Sequence, residues 1–351
     1  MKLSQDLLFA VGRPFSPLYS LVMRVRSGLY AKGVFKEHRL PVPVISVGNL
    51  TMGGTGKTPA VAYIASHLQS LGYRPAIISR GYGGQAGRAV NLVSDGGKVL
   101  LDAGQAGDEP AMLAEKLPGV PVLTGKLRLH PCRYAIERLH CNVLVLDDGF
   151  QHLAIARDIN LVLFNATSLA GNSRVFPGGE LREPVAALRR CDAFLLTGTD
   201  ATNRSRAERF AELLRRRFPG RPVFYASLDA EPLVDGAEAN RRPQGTFLSP
   251  LHAFCAIAHP DRFLSTLAAA GIEVAGHTPF PDHHTYRQSD IDDLCRSATE
   301  LGARGLVTTE KDRVKLKAMR IDIPLFIMKT RFRPEDAFPA YLTENLPSRP
   351  A

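Results

Sequence analysis

Apolar and polar positions along this chain fall into short blocks with two different periods. Runs of aliphatic and β-branched residues at 42–47, 74–79, 141–146, 160–164 and 193–196 predict buried strands. Between them, apolar residues recurring every three or four positions predict helices over 60–71, 111–116 and 204–217. Strands alternating with helices over residues 1–220 predict a mostly parallel sheet with helices on both faces. The stretches 221–233 and 245–248 read as extended and flank a polar segment at 237–244, so 221–250 reads as a hairpin or linker. The alternation then resumes. An apolar run at 253–258, a helix over 261–270, a strand opening at 271–274, a helix over 289–302 and strands at 305–308 and 324–328 predict a smaller α/β domain at 251–345. A cleft between the two domains is the natural place for a site.

The first 36 or so residues have a pattern of their own. Leu7, Val11, Phe15, Leu18, Val22, Val25 and Leu29 form a helical stripe, with a break or kink expected at Pro14 and Pro17. Seven Lys and Arg against two acids give the first forty residues a net charge of +5, half of the chain's +10. A basic amphipathic helix can lie in a membrane interface, or it can pack its stripe on a core, and the stripe alone does not decide between them.

Composition narrows the class. With 351 residues, 45% hydrophobic and 22% charged, the chain is long and apolar enough for one large domain or two ordinary ones, which excludes wholesale disorder. The basic excess predicts an anionic partner: nucleotide, nucleic acid or an acidic membrane surface. Five cysteines without CxxC spacing argue against a disulfide framework or zinc site and for a reducing compartment. The N-terminus lacks a signal-peptide pattern, and no apolar run reaches the length of a membrane span.

The chemistry is concentrated after the first predicted strand. Gly48-Asn-Leu-Thr-Met-Gly-Gly-Thr-Gly-Lys-Thr-Pro59 joins that strand to a helix, the context a phosphate-binding loop requires. Gly53, Gly54, Thr55 and Gly56 would present backbone N–H groups to phosphate, Lys57 would reach the β- and γ-phosphates, and Thr58 would ligate magnesium. Thr51 stands where the usual pattern has glycine, so the loop is atypical. The strand at 141–146 ends in Asp147-Asp148, which would bring carboxylates to a magnesium ion beside that loop, with Gln151 and His152 following.

Several loops add candidates. Arg80 and Tyr82 sit among glycines at a strand end, as in a ligand-contacting loop or a plain turn. Asp108 and Glu109 precede Pro110 at a helix start, where capping alone would explain them, although a phosphoryl-transfer enzyme also needs a carboxylate for the acceptor's proton. Arg182, with Arg174 nearby, could clamp an anionic group. Asp282-His283-His284 could supply a histidine beside a carboxylate, whereas a two-histidine metal site is improbable at adjacent positions. Arg215, Arg216 and Arg217 read as a solvated helix end.

Taken together, VISVGNLTMGGTGKTP at 44–59, SRGYGG at 79–84, GDEP at 107–110, LDDGFQH at 146–152, LREP at 181–184, DHHTY at 282–286 and TTEKD at 308–312 resemble the tetraacyldisaccharide 4′-kinases, the lipid A disaccharide kinases of Gram-negative bacteria. The resemblance implies a P-loop kinase fold, ATP and Mg2+ as cofactors, and transfer of the γ-phosphate to the 4′-hydroxyl of tetraacyldisaccharide 1-phosphate. It implies Asp108 as the base with His283, rather than His284, as its partner, and Asp147 and Asp148 in the magnesium network. Arg80, Tyr82, Glu109, Gln151, His152, Arg174 and Arg182 become substrate contacts. It further implies a monomer, peripheral at the cytoplasmic face of the inner membrane through the N-terminal helix, with no nucleic-acid partner. The competing class is a P-loop ATPase that switches on a membrane surface and moves a cargo. Such proteins use a second loop lysine, and position 52 here is Met. A non-enzymatic membrane module with a relict site would not need Lys57, Thr58, Asp147 and Asp148 intact. A nucleic-acid role rests on net charge alone, without basic–aromatic interleaving.

Overall fold

The computed structural model describes residues 2–236 and 249–347. The expected polar segment at 237–244 and extended stretch at 245–248 lie outside them. In chain order the strands are β1 (Val44–Asn49), β2 (Pro75–Ser79), β3 (Asn91–Ser94), β4 (Val122–Thr124), β5 (Val143–Asp147), β6 (Ile159–Asn165), β7 (Ala193–Thr197), β8 (Val223–Ala230), β9 (Val234–Asp235), β10 (Leu251–Cys255), β11 (Val274–Pro279), β12 (Leu306–Thr309), β13 (Leu325–Met328) and β14 (Thr330–Pro334). The helices are α1 (Lys2–Gly12), α2 (Ser16–Ala31), α3 (Lys57–Ser70), α4 (Ala103–Ala106), α5 (Asp108–Lys116), α6 (Leu129–Glu137), α7 (Arg204–Arg217), α8 (Pro260–Ala269), α9 (Gln288–Glu300), α10 (Glu310–Arg313) and α11 (Ala337–Asn345).

Nine strands form a large sheet in the order β14-β8-β7-β6-β1-β5-β2-β4-β3, parallel except at its two edges, where β14 and β3 run antiparallel. This is the expected P-loop-type α/β architecture. β1 is buried along its whole length between β5 and β6, which is why its sequence is mostly apolar, with Ser46 and Asn49 as buried polar exceptions, rather than an alternation. Its side chains still divide by face. Ile45 and Val47 join Ala60, Ile64 and Leu68 of α3 and Leu113 of α5, whereas Val44 joins Cys132 and Ala135 of α6. Farther along the sheet, Val162, Phe164 and Phe194 pack on Ala207, Ala211 and Leu214 of α7. Helices therefore cover both faces, and the C-terminal ends of β1, β2 and β5 open on one edge, where ligands bind in open α/β sheets.

The expected boundaries change in two places. The extended stretch from 221 is not a linker. It is β8, paired parallel with β7 inside the large sheet. The second domain does not run to 345 either. A five-stranded sheet, β11-β10-β12-β13-β9, ends at Met328, and the chain then returns to pair β14 with β8. Phe332, Phe338 and Leu342 bury themselves in the large-sheet core beside Tyr63 and Phe224. Short, polar-flanked β14 carries no apolar run, so it has no strand signal of the kind used above. The two crossings lie side by side, with Glu231 N–H donating to the Lys329 carbonyl at 2.9 Å.

The N-terminal stripe does not pack on a core. No side chain of α2 is buried, and Leu18 and Val22 are 63% and 51% exposed. The polar side faces the protein instead. Ser16 Oγ donates to the Val175 carbonyl at 2.8 Å, Tyr19 Oη to the Arg182 carbonyl at 3.2 Å, and Arg26 to the Gln151 carbonyl at 3.1 Å. Pro14 and Pro17 occupy the first turns of a short 3₁₀ segment and of α2, where a missing N–H costs nothing. Among the described residues no helix is long and apolar enough to cross a membrane.

Candidate functional site

The phosphate loop leaves β1 and enters α3 at Lys57. Gly53 and Gly56 adopt φ of 98° and 73°, a backbone that side chains resist, and Gly56 abuts Thr197. Thr51 needs no such freedom. It is buried and bridges to Leu181, so the position that usually carries glycine is here an extension of the strand. That bridge also brings the 174–182 segment alongside the loop and sets Arg182 next to it. Asn49, the last residue of β1, organises the turn: its Nδ2 donates to the Thr51 carbonyl at 2.6 Å and its Oδ1 accepts from Lys57 Nζ at 3.2 Å.

The two aspartates after β5 divide. Asp148 takes a left-handed φ of 48° and faces cations. Its carboxylate lies 3.5 Å from Lys57 Nζ and 2.8 Å from Arg182 Nη1. Burial would raise its carboxyl, but Lys57 and then Arg182 outweigh that and hold it at about 2. Asp147 is buried, its Oδ2 accepts from Ser79 Oγ at 3.2 Å, and its Oδ1 has no partner. Burial first, then the charges of Glu109 and Asp148, push its carboxyl well upward. An orphaned carboxylate oxygen beside a phosphate loop fits a cation. The described residues contain no cluster of three or more His, Cys, Asp or Glu that could cage one. Magnesium suits such a place, because it is commonly held by one or two carboxylates plus substrate phosphates.

The smaller domain faces this loop across a cleft of about 730 Å3, lined by residues 53–59, Arg80, Tyr82, Glu109, Arg128, Asp147, Asp148 and Arg182 on one side and His259, Arg262, Asp282, His283 and Lys311 on the other. A second cavity of about 1210 Å3, between the β7 and β8 ends and α8, shares Leu228, Arg262 and Thr266 with it. Across the cleft from Lys57, His283 lines the small-domain wall, and its Nδ1 lies 3.1 Å from Oδ2 of Asp108, the first residue of α5 and the neighbour of the cleft-lining Glu109. Burial acts to raise the Asp108 carboxyl, but the His283 hydrogen bond, Lys315 and Lys311 prevail and leave it below the usual carboxylate range. His283 is held at φ of 62°, an uncommon backbone for a side chain of its size. His284 points elsewhere: it stacks on Phe280 and its Nε2 meets Asp290 at 3.0 Å, at the start of α9.

Ion pairs join the domains along α5 and the segment around α10. Lys116 meets Glu310 at 2.9 Å, Glu115 meets Arg313 and Lys317, and Asp108 meets Lys315 at 3.6 Å. Partly exposed pairs of this sort are worth about 0–1 kcal/mol each. They can bias the cleft toward closure without locking it.

Other sequence candidates are distributed unevenly. Gly54, Thr55 and Thr58 lie in the loop as expected, with Thr55 and Thr58 buried. Gln151 supports the loop from behind, donating from Nε2 to the Asn49 carbonyl at 2.9 Å, and does not line the cleft. His152 also lies off the cleft lining. Burial, then Arg128, Arg157, Arg26 and Arg80, lower it to about 4, so it is neutral at neutral pH. Arg174 is exposed and off the cleft lining, although its carbonyl accepts from the Leu181 N–H at 2.9 Å, beside Arg182. The site also holds residues that the sequence did not single out. Arg128 is buried and donates to the Asp147 carbonyl at 2.9 Å, and Asn49, Ser79 and Lys315 each support a named side chain. Asn49, Ser79 and Lys311 lie within the VISVGNLTMGGTGKTP, SRGYGG and TTEKD blocks, whereas Arg128 and Lys315 lie outside every block.

The model for the tetraacyldisaccharide-1-P 4′-kinase family matches residues 8–347. The tetraacyldisaccharide 4′-kinase of Desulfotalea psychrophila is 46% identical over 335 residues, covering 93% of each chain. That of Syntrophus aciditrophicus is 40% identical and covers 95% of this chain and 91% of its own. A crystal structure of the "apo" form of LpxK from Aquifex aeolicus in complex with ATP superposes with a TM-score of 0.76 at 31% identity, covering 95% of this chain and 98% of that one. The motif resemblance and the fold therefore agree with whole-chain similarity, and the chain belongs to the tetraacyldisaccharide-1-phosphate 4′-kinase family of enzymes.

Proposed function

We propose that this kinase transfers the γ-phosphoryl group of ATP to the 4′-hydroxyl of a tetraacyldisaccharide 1-phosphate, working as a peripheral protein at the cytoplasmic face of the inner membrane. The observation that carries the reading is one cleft with Lys57 and Asp148 on the large-domain wall and, on the facing wall, His283, which reaches back to Asp108 beside the cleft-lining Glu109. A hydroxyl between them would have its proton near Asp108 and its oxygen aimed at the γ-phosphorus. Asp108 takes that proton as the new P–O bond forms and the bond to the bridging β–γ oxygen breaks, releasing ADP. The transition state is loose, so a weak, well-aimed base suffices and charge placement matters most. Lys57 and the loop N–H groups take up phosphate charge. Thr58 and Asp147 would hold Mg2+, which when bound adds charge neutralisation on the phosphate oxygens. Arg80, Tyr82 and Arg182 line the acceptor side. The second cavity leaves room for the nucleoside, since it adjoins the loop through Leu228, which lies beside Gly56. Closure of the smaller domain brings His283 to Asp108 and excludes water that would otherwise take the phosphoryl group.

The test is direct. Purified protein in detergent, with Mg2+ and γ-labelled ATP, should move label to tetraacyldisaccharide 1-phosphate. Label appearing only as free phosphate would remove the kinase reading and favour a switch ATPase.

The membrane reading rests on the inverted polarity of α2. Its polar side holds the protein, its apolar side is free, and Tyr19 ties it to the backbone of Arg182 beside the cleft. Burying an apolar side chain such as Leu or Val is worth about 1.5–3 kcal/mol. Replacing both Leu18 and Val22 by Glu should therefore lower co-sedimentation with anionic vesicles by at least about tenfold and leave ATP binding in solution intact. Equal sedimentation of the variant would discard α2 as the anchor.

A further inference from the structure

We propose that Lys311 is a positioning residue for the Asp108–His283 pair: its ammonium holds His283 as the neutral tautomer that donates its Nδ1 proton to Asp108. The proposal rests on the reading of Asp108 as base. Lys311, in α10, places Nζ 3.3 Å from His283 Nε2, 3.5 Å from Glu109 Oε1 and 3.5 Å from Asp282 Oδ1. An ammonium has protons to give and no lone pair to receive one. A ring nitrogen facing it must present its own lone pair. Nε2 is therefore unprotonated, the single ring proton sits on Nδ1, and Nδ1 faces Asp108 Oδ2 at 3.1 Å.

The remaining groups around the imidazole would otherwise favour a different state. Asp108 lies on one nitrogen and Asp282 Oδ2 is 3.9 Å from the other, with Glu109 beyond Lys311. Carboxylates on both sides stabilise an imidazolium. Lys315 reaches only the Asp108 side, at 3.6 Å, and the Tyr82 ring offers its contact at 5.6 Å without charge. Lys311 is thus the cation that opposes protonation at Nε2. An imidazolium would set donor against donor there. The other neutral tautomer would turn a lone pair toward Asp108 and leave the carboxylate unaimed. The same ammonium joins Glu109 of the large domain to Asp282 of the small one, so Lys311 also ties the His283 loop to the wall that carries Asp108.

Single-turnover phosphoryl transfer from γ-labelled ATP to tetraacyldisaccharide 1-phosphate, followed from pH 5.5 to 9.5, tests this. Lys311→Met should move the acid limb upward by about one pH unit. The loss should be about tenfold on that limb and should shrink toward pH 9. Lys311→Arg, which keeps a cation, should keep the limb in place even if the rate falls. In a His283→Ala background, Lys311→Met should cost no further rate. A loss equal at every pH, or a second loss in the His283→Ala background with a raised KM for ATP, would overturn the proposal and make Lys311 a direct phosphate contact. Lys317→Met removes an interdomain pair that does not touch His283, and an equal limb shift there would assign the effect to closure and overturn it as well. Failure of the base reading itself looks different: Asp108→Asn and His283→Ala would each keep nearly full rate, whatever Lys311 variants do.

Discussion

Asp108→Asn should lower the phosphoryl-transfer rate by roughly 10²–10⁴-fold, the span expected for loss of a general base. The substitution is nearly isosteric. The amide oxygen can still accept the Nδ1 proton of His283, which lies 3.1 Å from the carboxylate, so the variant should fold and keep the cleft. Lys315 and Lys311 lose a compensating charge, but each has another acceptor, Asp312 and Glu109. ATP affinity should change little, since Asp108 pairs with His283 and Lys315 rather than with the phosphate loop. The pH profile carries a second expectation. Asp108 has its carboxyl below the usual range in the folded enzyme, so it stays ionised from pH 5 upward. Any acid limb seen between pH 5 and 7 must therefore come from a group other than Asp108. A loss under about tenfold would discard Asp108 as base.

The aspartate pair gives the second large effect, and its members should fail differently. Asp147 Oδ1 is buried without a partner, a costly arrangement that a cation relieves. Asp147→Asn should raise the Mg2+ concentration for half-maximal rate by about 10–100-fold and leave metal-free ATP binding intact. Asp148 already has two cations, Lys57 at 3.5 Å and Arg182 at 2.8 Å. Asp148→Asn should leave the Mg2+ requirement in place and lower the rate through a misplaced Lys57. It should hold metal-free ATP at least as tightly, because one negative charge has left the phosphate site. Titrating rate against Mg2+, with nucleotide affinity measured in chelator, separates the two. A shifted Mg2+ requirement in Asp148→Asn alone would exchange the roles.

Local chemistry was readable in the sequence because it is contiguous. Strand, glycines, Gly-Lys-Thr and helix sit within thirty residues, and each constrains the next. Asp147 and Asp148 follow the same logic at the end of β5. Asp108 and His283 do not. They are 175 residues apart, and no spacing predicts that α5 of one domain will meet a loop of the other, so only the family resemblance joined them. Arg128 is a lone arginine in an unremarkable stretch, and its burial depends on the packing of β5 and α6. Arg174 lies beside the 181–182 segment yet off the cleft lining, so nearness to Arg182 in the chain does not by itself give a shared site. The N-terminal stripe looked the same for a buried helix and a surface one. What decides is the row of polar partners at Ser16, Tyr19 and Arg26, whose acceptors are backbone carbonyls more than a hundred residues away. The domain boundary moved because β14 is too short and polar to announce itself.

The return of the chain to the large sheet has a consequence for synthesis on the ribosome. The residues expected to bind phosphate are translated by residue 182, yet the sheet that carries them stays unfinished until residues 330–345 emerge. Until then β8 has an open edge, and the pocket for Phe332, Phe338 and Leu342 is unfilled beside Phe224. The smaller domain, an insertion between β8 and β14, can finish before its host does. A chain broken off before residue 330 would thus lose the partner of β8 in the large sheet, the part encoded first, and keep the smaller domain encoded just before the break.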